Sequence, residues 1–334
     1  MVSLKDVAEK TGFSIRTVNR ALKSDGYVAP ATRERVLAAA ERLGYRANLK
    51  ARALRTGLSY EIGVVLGTMD ELKIAKMTSF EQTLREAGFS VDVLFGLPGG
   101  DPTRGYQGTL ETLLDRQPAA VALFPEHGMS LERMAMRLVQ SGIPYVVFDP
   151  EAEYMDPGEL HAVRIDRGHG VRLAVRHLFE LGHRNIAYLG GVADRSRLDG
   201  YEAETRNLEL EPIVLDTDAW EGEFESGWNG GELFLAADPR PDAVQVFSDV
   251  TAMGLLAFLH EQGLRVPEDV AVVGFDDRQI ASVCWPALTT VAMPNHEVGV
   301  AAAEILLAKI TGEPAPAAGW SRTVATRLKV RDST

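Results

Sequence analysis

Cysteine is almost missing: Cys284 is the only one in 334 residues, so no intrachain disulfide and no cysteine-based zinc site can form. Long apolar runs are missing too, and none reaches the roughly 18 residues that would cross a bilayer. The N-terminal "MVSLKDVAEKTG" carries charges where a secretory leader needs an apolar core. Neither membrane insertion nor export is expected, and the expected location is cytoplasmic. Catalytic signatures are also lacking. There is no Gly-rich Walker loop, no GxSxG elbow and no GxGxxG after a strand. The histidine pairs His161/His169 and His177/His183 do not match HExxH spacing. No catalytic residue, metal or cofactor is expected.

Acidic residues are scarce in one place only. Residues 1–58 hold 12 Lys and Arg against 5 Asp and Glu, a charge of +7. The remaining 23 basic and 42 acidic residues leave −19 on 59–334, which together give the net −12. Such asymmetry points to a polyanionic partner for the head and repulsion of that partner by the rest. A merely solubilising basic surface is the bland alternative.

The head has the spacing of three short helices. Ser3 with Asp6 makes an N-terminal cap ahead of Leu4, Val7 and Ala8, and Gly12 ends the first helix. Ser14 caps a second, in which Val18, Ala21 and Leu22 repeat at i, i+3 and i+4. Pro30 opens a third, with Val36, Leu37, Ala40 and Leu43 expected to face inward and Gly44 just past its end. Two short helices joined by a tight Gly-containing turn form a helix-turn-helix. With Val18 and Ala21 inward, Ile15, Arg16, Thr17, Asn19 and Arg20 lie where a recognition helix meets a major groove: arginine forks suit guanine and Ile15 suits a thymine methyl.

The run "LKDVAEKTGFSIRTVNRALKSDGYVAPATRERVLAAAERLGYRAN" resembles the DNA-binding head of the LacI/GalR family of bacterial transcription regulators. The resemblance implies that Ile15 and Arg16 are the pair that varies with operator sequence and that Arg20 contacts a guanine. It also implies that "NLKARAL" forms a hinge helix when two heads occupy one operator. Leu54 then wedges between base steps in the minor groove, Asn48 is left as the cap, and the charges of Arg46, Lys50, Arg52 and Arg55 can be read as phosphate contacts. Ala47 departs from the family, which often has proline there, so hinge folding loses a residue pre-set for the first turn.

From residue 60 the pattern becomes apolar strand candidates (61–67, 90–96, 119–125, 144–149, 185–191, 242–248, 269–276) alternating with helical segments such as 103–116, 129–141, 167–182, 249–262 and 295–311. Continuous apolar strands separated by helices argue for parallel sheets covered on both faces, and the number of units for two doubly wound lobes. Three strand-end carboxylates, Asp149, Asp249 and Asp276, with Arg197 on a loop, are suited to hydroxyls or amides. Asp249, just ahead of "VTAMGLLAFL", is equally suited to be that helix's N-cap.

The family resemblance continues through "HLFELGHRNIAYLGG", "RLDGY", "LRVPEDVAVVGFDD" and "PALTTVAMP". It implies a periplasmic-binding-protein-like α/β body with crossovers near 160, 290 and 322 and effector contact at Arg197, Asp276, Asp149 and Asp249. Where the family often shows Asn-Pro-Phe-Phe, this chain has "TMDELKIAKM". There Asp70, Lys73 or Lys76 replaces stacking with charge, or the lysines are simply an exposed pair on a helix. Trp220 supplies an apolar face for a sugar ring, with Phe224 as the competing choice. Arg167 stands where an asparagine is frequent.

The fold expected is therefore a small all-α helix-turn-helix head (1–46), a hinge (47–59), and an α/β body of two doubly wound lobes, about 60–160 with 292–321 and 161–291 with 322–334. The function expected is a homodimeric repressor that binds double-stranded DNA at a near-palindromic operator and responds to a small polar effector such as a sugar. The end of the chain shows no heptad segment, which favours a dimer over a tetramer. A ligand carrier without DNA function, or an α/β enzyme acting on a sugar, are the rival readings.

Overall fold

A computed structural model describes residues 2–23, 27–45, 59–96, 105–126, 129–150, 160–192, 195–217, 222–314 and 320–334. Contacts divide the chain into Met1–Tyr60 and Glu61–Thr334.

In the first unit, α1 (Leu4–Thr11), α2 (Ile15–Lys23) and α3 (Pro30–Leu43) pack around Val7, Ala8, Val18, Ala21, Val36, Ala39 and Ala40. Each boundary has a local cause. Ser3 and Asp6 form a reciprocal capping box, and Gly12 turns out of α1 at φ 75°. Ser14 Oγ accepts from Thr17 N at 3.1 Å to start α2. Pro30 occupies the first position of α3, where no amide hydrogen is needed. Leu37 departs from expectation: it is 47% exposed, and Ala39 takes the inward place. Val36, Ala39, Ala40 and Leu43 keep the i, i+3, i+4, i+7 stripe, so Leu37 falls off its edge.

The second unit holds two six-stranded sheets. One has the order β11-β5-β4-β3-β1-β2, from Arg322–Ala325 (β11), Ala162–Asp166 (β5), Tyr145–Phe148 (β4), Ala120–Leu123 (β3), Glu61–Leu66 (β1) and Ser90–Phe95 (β2). The other has the order β12-β10-β9-β8-β6-β7, from Arg327–Lys329 (β12), Thr289–Ala292 (β10), Ala271–Asp276 (β9), Ala243–Val246 (β8), Ile186–Gly190 (β6) and Ile213–Asp216 (β7). The described pairings are parallel except β10 with β12. Both faces of each sheet are covered, which is why its central strands are apolar without alternation. In β1, Ile62, Val64 and Leu66 pack under α4 (Glu71–Glu86) and α12 (Asn295–Thr311), while Val65 packs under α5 (Tyr106–Asp115) and α6 (Leu131–Ser141). In β6, Ala187 and Leu189 face α9 (Glu223–Ala236) and α10 (Asp249–Glu261), whereas Ile186 and Tyr188 face α7 (Arg167–Glu180) and α8 (Arg195–Asn207).

The chain crosses between the sheets after Asp166, between Ala292 and Asn295, and between Ala325 and Arg327. Two of these lie four to six residues beyond the positions expected near 160 and 322, because β5 and β11 pair with each other in the first sheet. Lobe 1 thus keeps Ala162–Asp166 and Arg322–Ala325. Helices α9 and α10 approach so closely that a Cβ on Gly227 would overlap the Thr251 carbonyl and one on Gly254 the Phe224 carbonyl. That contact fixes the start of α10, where the second lobe's buried carboxylate sits.

Candidate functional site

On the head, α2 presents Ile15, Arg16 and Arg20 to solvent, with Thr17 and Asn19 half-buried beside them. Ile15 is 50% exposed although apolar, whereas Val18 and Ala21, three and six residues on, are covered. An isoleucine and two arginines held outward by a packed helix form a surface able to meet base edges and phosphates.

In the body, the loops that follow the carboxyl ends of both sheets meet: Gln279 N donates to Glu71 Oε1 at 2.8 Å across the two lobes. On the second lobe, Arg197 at the start of α8 is buried between two rings, its guanidinium 4.3 Å from the Phe247 centroid and 4.5 Å from that of Phe275. Its Nη2 lies 3.8 Å from Asp276 Oδ1, and Arg278 Nε donates to Asp276 Oδ2 at 3.3 Å. Burial pushes the Asp276 carboxyl up, against the pull of both arginines. Asp276 holds φ 113°, a backbone state uncommon for a residue other than glycine.

On the first lobe, Asp149 follows β4 with both oxygens engaged. Oδ1 accepts from Ile165 N at 3.0 Å and Arg167 Nη1 at 2.9 Å, and Oδ2 from Arg167 Nη2 at 2.6 Å and Lys76 Nζ at 3.4 Å. Burial would raise this carboxyl, but the Arg167 and Lys76 charges outweigh it and hold it at about 2. Asp70 accepts from Lys73 N at 2.8 Å and is the N-cap of α4. Lys73 Nζ is bound to Glu126 and donates to Thr68 Oγ1 at 3.0 Å.

Residues 3–48 match the model of the bacterial regulatory proteins of the lacI family, and residues 175–334 that of a periplasmic binding protein-like domain. The HTH-type transcriptional repressor PurR of Vibrio atlanticus (strain LGP32) is 31% identical over 93% of this chain and 92% of its own length. The chain belongs to the lacI family. The ribose operon repressor of Escherichia coli (strain K12) is 29% identical over 93% of this chain and 94% of its own. The crystal structure of the lac repressor dimer bound to operator and the anti-inducer ONPF aligns at a TM-score of 0.72 and 26% identity, covering 99% of this chain and 98% of that one.

Within this lacI-family architecture the expected site residues fall into separate groups. Arg197 and Asp276 come together, and Arg278, Glu223 and Phe247 join them, none of which was singled out from sequence. Arg278 stands two residues after Asp276 in "GFDDR", a strand-end position that was a readable signal. The lysines are not an exposed pair, since Lys76 is buried on Asp149 and Lys73 is held by Glu126. Asp249 is not the N-cap of α10. Ser248 is, with its Oγ accepting from Thr251 N at 3.1 Å. Phe224 is largely exposed on the first turn of α9. Arg46, Asn48, Lys50, Arg52, Leu54, Arg55 and Trp220 lie outside the described residues.

Asp249 is wholly buried, its oxygens accepting from Thr290 Oγ1 at 2.5 Å and Arg278 N at 2.7 Å. Burial first, then the Asp276 and Asp277 carboxylates, lift its pKa from 3.8 to about 7, against those two hydrogen bonds. The folded state therefore retains a proton that the unfolded state has lost between these pH values. Stability falls as pH rises through that window and levels off above it. In Asp249→Asn the corresponding fall between pH 5 and 8, read from urea midpoints, should shrink markedly. An undiminished fall would assign the slope to other groups.

Proposed function

We propose that this chain is a repressor acting as a homodimer on a near-palindromic operator, and that a small, uncharged, polyhydroxy effector bound between the lobes sets its operator affinity. The observation that carries the reading is the Arg197–Asp276 pair, buried and oriented by two aromatic rings where the lobes meet, in the same chain as a helix that exposes Ile15, Arg16 and Arg20. A fixed donor fork beside a carboxylate suits vicinal hydroxyls, and Phe247 offers a ring face. Every cation at the site already has a carboxylate within ion-pair reach, which favours a neutral ligand. Lys73 faces Glu126, Lys76 and Arg167 face Asp149, and Arg197 and Arg278 face Asp276. An acid entering here would compete with carboxylates already in place. The names of the relatives, a ribose operon repressor among them, accord with this class.

In this reading Ile15, Arg16, Thr17, Asn19 and Arg20 read bases and phosphates, while Asn48, Arg52 and Leu54 serve the hinge. Arg197 and Asp276 hold the effector, joined by Trp220 and, through its protonated form, Asp249. Asp149, Asp70 and Lys73 shape the first lobe's wall. The chain is a regulator and not an enzyme, and operator binding requires that it work in the cytoplasm. Among the described residues no helix is long and apolar enough to cross a membrane. The second copy of the chain docks on the surface of α11 (Gln279–Val283) and the turn after it. Val283 and Trp285 are 69% and 91% exposed there, beside a cavity lined by Leu256, Val266, Pro267 and Pro286.

Three measurements test this. In a binding-site selection, Arg16→Ala should relax preference at one base pair by about 10- to 100-fold while salt-sensitive binding persists; unchanged preference removes Arg16 from readout. Against a panel of sugars, the compound that raises the melting temperature of the parent protein should not raise that of Asp276→Ala, and a retained shift places the effector elsewhere. Trp285→Glu should sediment as a monomer at concentrations where the parent is a dimer. A dimeric variant would reject this surface.

A further inference from the structure

One group of arginines stands apart from the effector site. At the edge where the chain first crosses between lobes, a cavity of about 340 Å³ is bounded by Arg164 and Thr323 of the first lobe and by Arg167, Gly168, Arg172, Ser196 and Gly200 of the second. Arg164 Nη1 donates to Pro150 O at 3.0 Å, but its Nε and Nη2 are buried without a hydrogen-bond partner among the described residues. Burial pushes the Arg164 guanidinium down, and the Asp149 charge only partly opposes this. A buried donor left unmade costs the desolvation of that group. Arg172 has no ion pair among the described residues, and its Nη1 would lie 3.3 Å from a Cβ at position 168.

The backbone around these side chains is open. Gly168 and Gly200 bring α7 and α8 together so tightly that a Cβ on Gly200 would come within 2.6 Å of Gly168 O. The first turns of both helices line this cavity, through Arg167 and Gly168 of α7 and Ser196 of α8, which brings the positive ends of two helices longer than twelve residues to its wall. Two carboxylates also border the cavity, but each is engaged: Asp166 accepts from His169 N at 2.8 Å, and Asp199 pairs with Arg195 at 2.5 Å.

We propose that this cavity is a second ligand site, taking a tetrahedral oxyanion, either free phosphate or the phosphoryl group of a small monoester. Two guanidinium groups without an ion pair among the described residues supply planar forks that donate to phosphate oxygens, and the helix starts add amide donors. The lining of this cavity includes neither Arg197 nor Asp276. Because Arg164 and Thr323 belong to one lobe and Arg172 and Ser196 to the other, a bound anion bridges the crossover. Its binding is therefore coupled, in both directions, to any ligand that changes lobe spacing.

The test is isothermal titration calorimetry of the full-length protein with inorganic phosphate and, separately, glycerol 3-phosphate, at ionic strength held constant with chloride. The expected result is one saturable site, weakened at least about tenfold in Arg172→Ala. Arg85→Ala, which removes an exposed charge on α4 that pairs with Glu81, should bind as the parent does. Arg172 is only half-buried, so its variant remains informative even if Arg164→Ala folds poorly. Equal affinity for the two probes identifies free phosphate as sufficient, and preference for the ester identifies a phosphorylated metabolite. Absence of saturable heat with both, or equal binding by the Arg172 and Arg85 variants, overturns the proposal. DNA and sugar are absent from these titrations, so their outcome is independent of the operator and effector reading.

Discussion

The ionised Asp149 carboxylate, shut away from water, is the constraint on which the body depends. It ties the end of β4 to Lys76 on α4, to the amide of Ile165 in β5 and to Arg167, the first residue beyond the crossing into the second lobe. A buried charge deprived of its partner destabilises by about 3–5 kcal/mol, a large part of the roughly 5–15 kcal/mol that holds a typical domain folded. The junction of the lobes is therefore set by electrostatics as much as by packing. The φ of 47° at Asp149 shows the backbone bent to aim the carboxylate at these donors, in a region that aspartate tolerates better than most residues.

That constraint divides the labour between the lobes. Asp149 has no lone pair to spare for a ligand hydroxyl, so in the proposed reading the first lobe contributes shape and closure and recognition falls to the second. There Arg197 is immobilised by Phe247 and Phe275 before any ligand arrives, which lowers the ordering cost of binding. Arg278 then joins two buried acids, giving its amide to Asp249 and its guanidinium to Asp276. Asp249, whose carboxyl titrates near 7, is able to donate as well as accept within the same network.

The sequence made the central strands legible because strands covered on both faces carry uninterrupted apolar runs. It hid β5, where Arg164 interrupts "AVRID", the buried strand β10, whose "TTVA" is half threonine, and the edge strands β7, β11 and β12, which are short and carry polar or charged residues. The expected crossovers near 160 and 322 were early for that reason. In the head, capping serines and Pro30 located the helix starts, yet Leu37 and Ala39 compete for the same stripe and only packing decides between them. Among the proposed site residues, Arg197 and Asp276, singled out through "RLDGY" and "GFDD", come together in the fold. The engagement of Asp149 by Arg167, 18 residues away, and of Lys73 by Glu126, 53 residues away, was not. Spacing reports which residues share an element, whereas these pairs depend on how β-α units stack.

The interlobe contact has a further geometric consequence. Glu71 belongs to the first turn of α4, directly after the Asp70 cap, and accepts from the amide that opens α11. That same short helix carries Ile280 and Val283 and leads into Trp285, the exposed apolar surface of the second lobe. The amide of Arg278, one residue earlier, is fixed on Asp249, and Leu288 N closes the far side by donating to Ala281 O at 2.8 Å. The helix is therefore held from both ends by the second lobe and touched at its start by the first. A change in lobe separation has to break the Glu71 bond or strain a segment whose other anchors are buried. Because an exposed hydrogen bond is weak beside a buried carboxylate anchor, the bond to Glu71 gives way first, so the lobes can open without disturbing the apolar surface.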